Sequence, residues 1–195
     1  MPEIQGLTTT SSCCNRKFVA KCPLEKAGAT MISDLTKSDE DRIQKFQEIL
    51  FGNRDAALFV AMVFRVFHAW DDLIDRDVKL SDEEINMAFY LAMVQIPRNP
   101  FYRANFAELS PIVSQAISNW MYATDAEREA PSEATFIVRS SYVDVLLKAA
   151  EIVGGLNYAV AAQRSIREWF HAEGYAQYLQ NLQKEAVERN KGAAK

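Results

Sequence analysis

From Ser38 onward the apolar residues recur at helical intervals. Ile43, Phe46, Ile49 and Leu50 share one face behind Ser38 and Asp41, which resemble a capping box, and Gly52 suits the helix end. A second helix is expected from about Asn53 to Asp77, since Ala56–Trp70 is apolar over 15 residues apart from Arg65 and His68. Ser81 and Glu84 form a better capping box and open a third helix, which Pro97 ends before a loop at Asn99-Pro100. Ser110-Pro111 reads as an N-cap with proline at the first helical position, opening a fourth helix through about Thr124. Ser132 starts a fifth, which Gly154-Gly155 close, and a sixth runs from about Leu156 to Arg189 with a bend near Gly174.

Glycine placement supports the same fold class. None of the 101 residues between Gly52 and Gly154 is glycine, so the tight positive-φ turns of a hairpin-rich sheet protein have no supply there. The pattern predicts an all-α chain, a single bundle of about six helices over residues 38–190. Residues 1–37 differ in character. The Thr8–Ser12 tract is polar, no period persists, and the segment carries net charge +2 against −6 for the remainder. It reads as a mobile or partner-ordered tail, and residues 191–195 as a disordered C-terminus.

Composition narrows the function classes. With 195 residues, 49% of them hydrophobic, the chain suits one globular core. Its longest apolar run falls short of the roughly 20 residues that span a bilayer, and no leader pattern opens the chain, so a cytoplasmic protein is expected. Cys13, Cys14 and Cys22 lack paired spacing and a nearby histidine, so free thiols are favoured over zinc. A sequence pI near 5.3 and the absence of a basic stripe argue against nucleic acid as partner.

The chemistry concentrates near the end of the second helix. At about 100° per residue, Asp71, Asp75, His68, Asp72 and Arg65 occupy one stripe, while Val63, Phe67, Trp70 and Ile74 lie opposite. Seven of the 14 residues from Asp71 to Glu84 are acidic, and the first of them sit where the helix dipole is already negative. A hard divalent cation offsets such a cluster economically, Mg2+ in particular, because it favours carboxylate oxygen and shares its shell with phosphate. A solvated acidic surface beside the junction is the competing account.

Asp71-Asp-Leu-Ile-Asp75 is a DDxxD sequence following a long apolar helix. In this it resembles the first aspartate-rich motif of the class I isoprenoid (terpenoid) synthases, squalene and phytoene synthase branch included. The resemblance implies an all-α fold with Mg2+ held by Asp71, Asp72 and Asp75, and a diphosphate ester as substrate. It is carried by about Asp55 to Asp77. The family's second metal motif lacks a counterpart: Asn119, Ala123 and Glu127 have the spacing without the central hydroxyl.

Arg139 falls in the middle of the fifth helix's apolar face, where a permanent cation requires an anion: the aspartates or a phosphate. Arg164 and Arg167 are weaker candidates for phosphate contacts. His68, one turn before Asp71 and Asp72, is a candidate general base, with a hydrogen-bonded core histidine as the plainer account. Glu168 and His171 have the spacing of a di-iron motif without a second copy. Three functions follow: a Mg2+-dependent enzyme acting on a diphosphate-bearing small molecule, a helical assembly or regulatory protein binding a protein partner or a second copy of itself, and an all-α nucleotide pyrophosphatase.

Overall fold

The computed structural model describes residues 37–76, 78–170 and 174–193, with side chains over 40–76, 78–170 and 174–184. The expectations for the N-terminal tail and its cysteines, for Asp77, for His171 and for the last two residues fall outside these. Among the described residues every regular element is helical.

Helix α1 (Lys37–Ile49) buries Phe46 and ends in a turn where Phe51 and Gly52 both take positive φ, 53° and 75°. Asn53 then caps α2 (Arg54–Asp75), its side chain accepting from the Ala56 amide at 3.0 Å. Helix α2 is the central element: Ala56, Ala57, Phe59, Val60, Val63, Phe64 and Phe67 are all buried in the core. It stops at Asp75 because Arg76 turns left-handed, at φ 58°, and returns its amide to the Asp72 carbonyl. The expected capping box of Ser81 and Glu84 is present and opens α3 (Asp82–Tyr90).

Pro97 does not end that helix. The chain widens into a π-helical turn at Leu91–Gln95 and continues through α4 (Ile96–Arg98). The widened turn carries the chain past a residue that lacks an amide donor and would crowd a tighter one. Asn99-Pro100 is likewise not a free loop. Asn99 caps α5 (Pro100–Ala104), and its amide donates to the Asp55 carbonyl at 2.9 Å, fastening this corner to the start of α2.

The fourth expected helix, α6, spans Phe106–Glu129, five residues earlier and five later than predicted. Pro111 lies inside it, and the carbonyl it leaves unpaired belongs to Ala107, whose residue is exposed. Ser132 caps α7 (Glu133–Arg139), and a 3-10 turn at Ser140–Tyr142 separates it from α8 (Val143–Gly154). Gly155, at φ 80°, ends α8 as expected. The sixth expected helix is divided into α9 (Leu156–Phe170) and α10 (Tyr175–Ala193) around Gly174.

Aromatic side chains weld these helices together. Phe64 sits in the middle, in edge contact with Phe46, Tyr142 and Phe170 at ring separations of 5.0 to 5.4 Å. No helix among the described residues is long and apolar enough to cross a membrane.

Candidate functional site

Asp71 and Asp75 stand one turn apart on α2, so their carboxylates project along the same line. They converge on a single nitrogen. Arg139 Nη2, from the last residue of α7, donates to Asp71 Oδ1 at 2.6 Å and to Asp75 Oδ2 at 3.0 Å. The other terminal nitrogen donates to Glu127 Oε2, from α6. Glu127 Oε1 in turn accepts from the Tyr178 hydroxyl on α10, and Trp120 Nε1 donates to Asp71 Oδ1 at 2.9 Å. Three helices thus meet at one guanidinium, and α10 joins them through Glu127.

The network is largely removed from water. The Glu127 side chain is 5% exposed, that of Asp75 10%, Arg139 21% and Asp71 32%. Three carboxylates against Arg139 leave a surplus of negative charge, which Arg128 trims from the surface, 3.9 Å from Asp75. The surplus shows in protonation. Burial raises the Asp71 carboxyl above the ordinary range despite the opposing pull of Arg139, and burial does the same to Glu127. Burial and the hydrogen bond to Glu127 push the Tyr178 hydroxyl up, and burial raises Tyr142. Although burial works against its charge, Arg139 is held more firmly protonated by its three acids, Asp71 foremost.

Asp71 and Arg139 of this cluster line a cleft of about 170 Å³, whose lining does not include Asp75 or Glu127. Phe67, Trp120, Phe136, Tyr142, Phe170 and Tyr178 wall it, with Asp71, Arg139, His68 and Ser140 as its polar lining. Trp120 also packs on Trp70, ring centroids 4.2 Å apart, which fixes the indole that holds Asp71. An apolar group with a charged head matches such a lining.

Among the residues singled out from sequence, Asp71, Asp75 and Arg139 come together. Arg139 meets the aspartates, one of the two anions expected for it. His68 lines the cleft, its ring 6.1 Å from that of Tyr142. Asp72 is half-buried and lies about 100° around α2 from Asp71. Arg164 and Arg167 do not line the cleft: the first pairs with Glu168 on the surface, and the second with Asp144 at 2.6 Å.

Glu127, named from sequence only for its spacing with Asn119 and Ala123, joins the site through Arg139, and Trp120, Tyr178 and Thr124 carry no sequence motif of their own for it. Thr124 is 4% exposed, and its hydroxyl has no hydrogen-bond partner among the described residues. It lies on α6 between Trp120 and Arg128, which reach Asp71 and Asp75 respectively. A buried indole must place its N–H, and a buried acid on α6 must find a cation. Those requirements were the available signal for Trp120 and Glu127.

The donor set tests whether Mg2+ suits this place. The carboxylates of Asp71, Asp75 and Glu127 and the orphaned Thr124 hydroxyl are all oxygen donors with surplus negative charge, the chemistry a hard cation takes. By donor type, though not by arrangement, the residues suit a hard cation. The point of convergence is, however, held by Arg139, and among the described residues no three acids, histidines or cysteines form an open ligand group. Comparison with known proteins finds no matching family, no matching characterised relative and no matching solved structure.

Proposed function

We propose that the chain binds a diphosphate ester together with Mg2+, the apolar part of the ester lying in the aromatic cleft and the diphosphate at its acidic end. The observation that carries this is the convergence of Asp71 and Asp75 on one cationic point at the head of an aromatic cleft. A bare anion has poor prospects there, because three carboxylates already occupy Arg139. Metal is therefore the expected requirement for phosphate binding. Asp71, Asp75 and the neighbouring Asp72 would hold Mg2+, which when bound supplies charge neutralisation for a departing diphosphate.

The chain's own groups contribute the rest. Trp120 orients Asp71, the aromatic walls exclude water from the apolar part, and Arg139 lies within reach of phosphate oxygen once relieved of an aspartate. His68 lines the same cleft and is positioned to exchange a proton with a ligand there.

The occupied convergence point favours a second reading, in which the acids and Arg139 are an internal clamp and the bundle serves as a helical binding protein. Titration calorimetry of Mg2+ and pyrophosphate, separately and together, divides the two. Pyrophosphate binding only in the presence of Mg2+, lost in Asp75→Asn, is the expected result. No heat from either ligand with the wild type would leave the clamp as the reading that stands.

A further inference from the structure

Six of the ten residues that line the cleft are aromatic: Phe67 of α2, Trp120 of α6, Phe136 of α7, Tyr142 of the 3-10 turn, Phe170 of α9 and Tyr178 of α10. The rings brace one another, Tyr142 against Phe67 at 6.0 Å between centroids and Phe136 against Tyr178 at 5.0 Å. The face of such a ring carries negative charge density, the complement of a cation rather than an anion. The polar groups beside them lean the same way. Asp71, Asp75 and Glu127 set three carboxylates against two guanidiniums, Arg139 and, 3.9 Å from Asp75, Arg128. Arg139 lines the cleft, but Glu127 takes its Nη1 and the two aspartates its Nη2. Asp71, the acid in the lining, receives both Arg139 and Trp120 on Oδ1, so neither of them occupies Oδ2, and its side chain is 32% exposed. The negative field reaches the walls: burial comes first in raising the Tyr142 and Tyr178 hydroxyls, and the charges of Asp71 and Glu127 respectively add to it.

We propose that the cleft binds a small organic cation, an alkylated ammonium group seated among the rings with Asp71 as its counter-ion. Size agrees with this. An apolar cavity of about 150 Å³ takes a benzene-sized guest, and the cleft, at about 170 Å³, has room for one trimethylammonium head. Methyl groups around the nitrogen meet the apolar rings, while the charge they carry is answered by the ring faces and the carboxylate together. The inference goes beyond the diphosphate reading and does not rest on it, since neither Mg2+ nor phosphate enters the argument.

Titration calorimetry of the full chain tests it, with choline and with the uncharged isostere in which a tert-butyl group replaces the trimethylammonium. Mg2+ and phosphate are left out, so the outcome is separate from that of the diphosphate titration. Choline is expected to bind at least about tenfold tighter than the isostere. Asp71→Asn keeps the shape and removes the counter-ion, and is expected to weaken choline about fivefold. Phe136→Leu keeps an apolar side chain and removes a ring, and is expected to weaken it about threefold. Thermal melts check that both variants are folded. Three results overturn the proposal: no binding of choline by the wild type, equal binding of choline and its isostere, or an affinity for choline that either folded variant leaves unchanged.

Discussion

Replacing Arg139 by methionine removes the one cation that three buried or half-buried acids share. At an effective dielectric of about 20, its contacts with Asp71 and Asp75, at 2.6 and 3.0 Å, each represent about 6 kcal/mol of gross attraction. Most of that offsets the cost of taking the charges out of water. What the substitution exposes is the uncompensated remainder, about 3–5 kcal/mol for a broken buried pair. Because Asp71 is 32% exposed and Arg139 21%, the lower end applies, about 3 kcal/mol. In a chain of this size that lowers Tm by roughly 6–12 °C. The pH dependence sharpens the test. Asp71 and Glu127 already sit above their ordinary values, and loss of Arg139 removes the main influence holding them down. A carboxyl raised in the folded state contributes stability present at acidic pH and lost as pH climbs through its folded value. The deficit of Arg139→Met should therefore be larger at about pH 8 than at about pH 5. Urea denaturation followed by circular dichroism at both pH values measures it, and Arg139→Met with Glu127→Gln should recover part of the loss. A deficit below about 1 kcal/mol, or one that does not change with pH, would refute the reasoning.

Asp71→Asn acts in the opposite direction: it removes one acid from a site with too many, so stability at neutral pH should equal or exceed the wild type, with the difference closing on acidification. Thermal melts from about pH 4 to about pH 7 check that order. Ser81→Ala deletes the hydroxyl half of the capping box, leaving the residue-81 amide to donate to Glu84, and should cost about 1 kcal/mol in denaturant. Gly154→Ala places a methyl 2.5 Å from Tyr158 Cδ1 and 2.6 Å from Phe51 Cε2. The resulting displacement of two rings should cost about 1–3 kcal/mol by the same assay. Arg164→Ala, at a side chain 89% exposed, should leave stability within about 0.5 kcal/mol.

The elements were legible where local chemistry decides them. Asn53, Ser81 and Ser132 cap helices because a side-chain oxygen answers an amide two or three residues on, and Gly155 ends one because it takes φ 80°. The breaks were less legible. Pro97 and Pro111 were weighed as punctuation, yet the first is carried by a π-helical turn and the second by an exposed stretch of α6. Neither accommodation is written in the neighbouring residues. The Ser140–Tyr142 turn went unnoticed because no glycine or proline marks it. In the site, Asp71 and Asp75 could be found from their shared stripe and Arg139 from its place on an apolar face. Glu127 and Tyr178 could not be joined to them, since the contacts linking them to Arg139 and to each other span 12 and 51 residues. Only tertiary packing sets which stripe of α6 or α10 turns toward α2.

A fold that merely needed α2, α6 and α7 pinned together could do so with two acids for Arg139, one on α2 and one on α6. Each further carboxylate adds a desolvation cost that the same guanidinium must offset, and repels the acids already present. Burial raises the Asp71 carboxyl even though it touches an arginine, and the Asp75 charge adds to the rise. Hydrophobic or amide side chains of similar volume would serve packing better. Under the proposed function, an added positive charge would meet that surplus of negative charge. On that reasoning, stability gained by Asp71→Asn should be accompanied by loss of Mg2+-dependent pyrophosphate binding. Stability gained with binding intact would place the ligand elsewhere, and stability lost would make the third acid part of the scaffold.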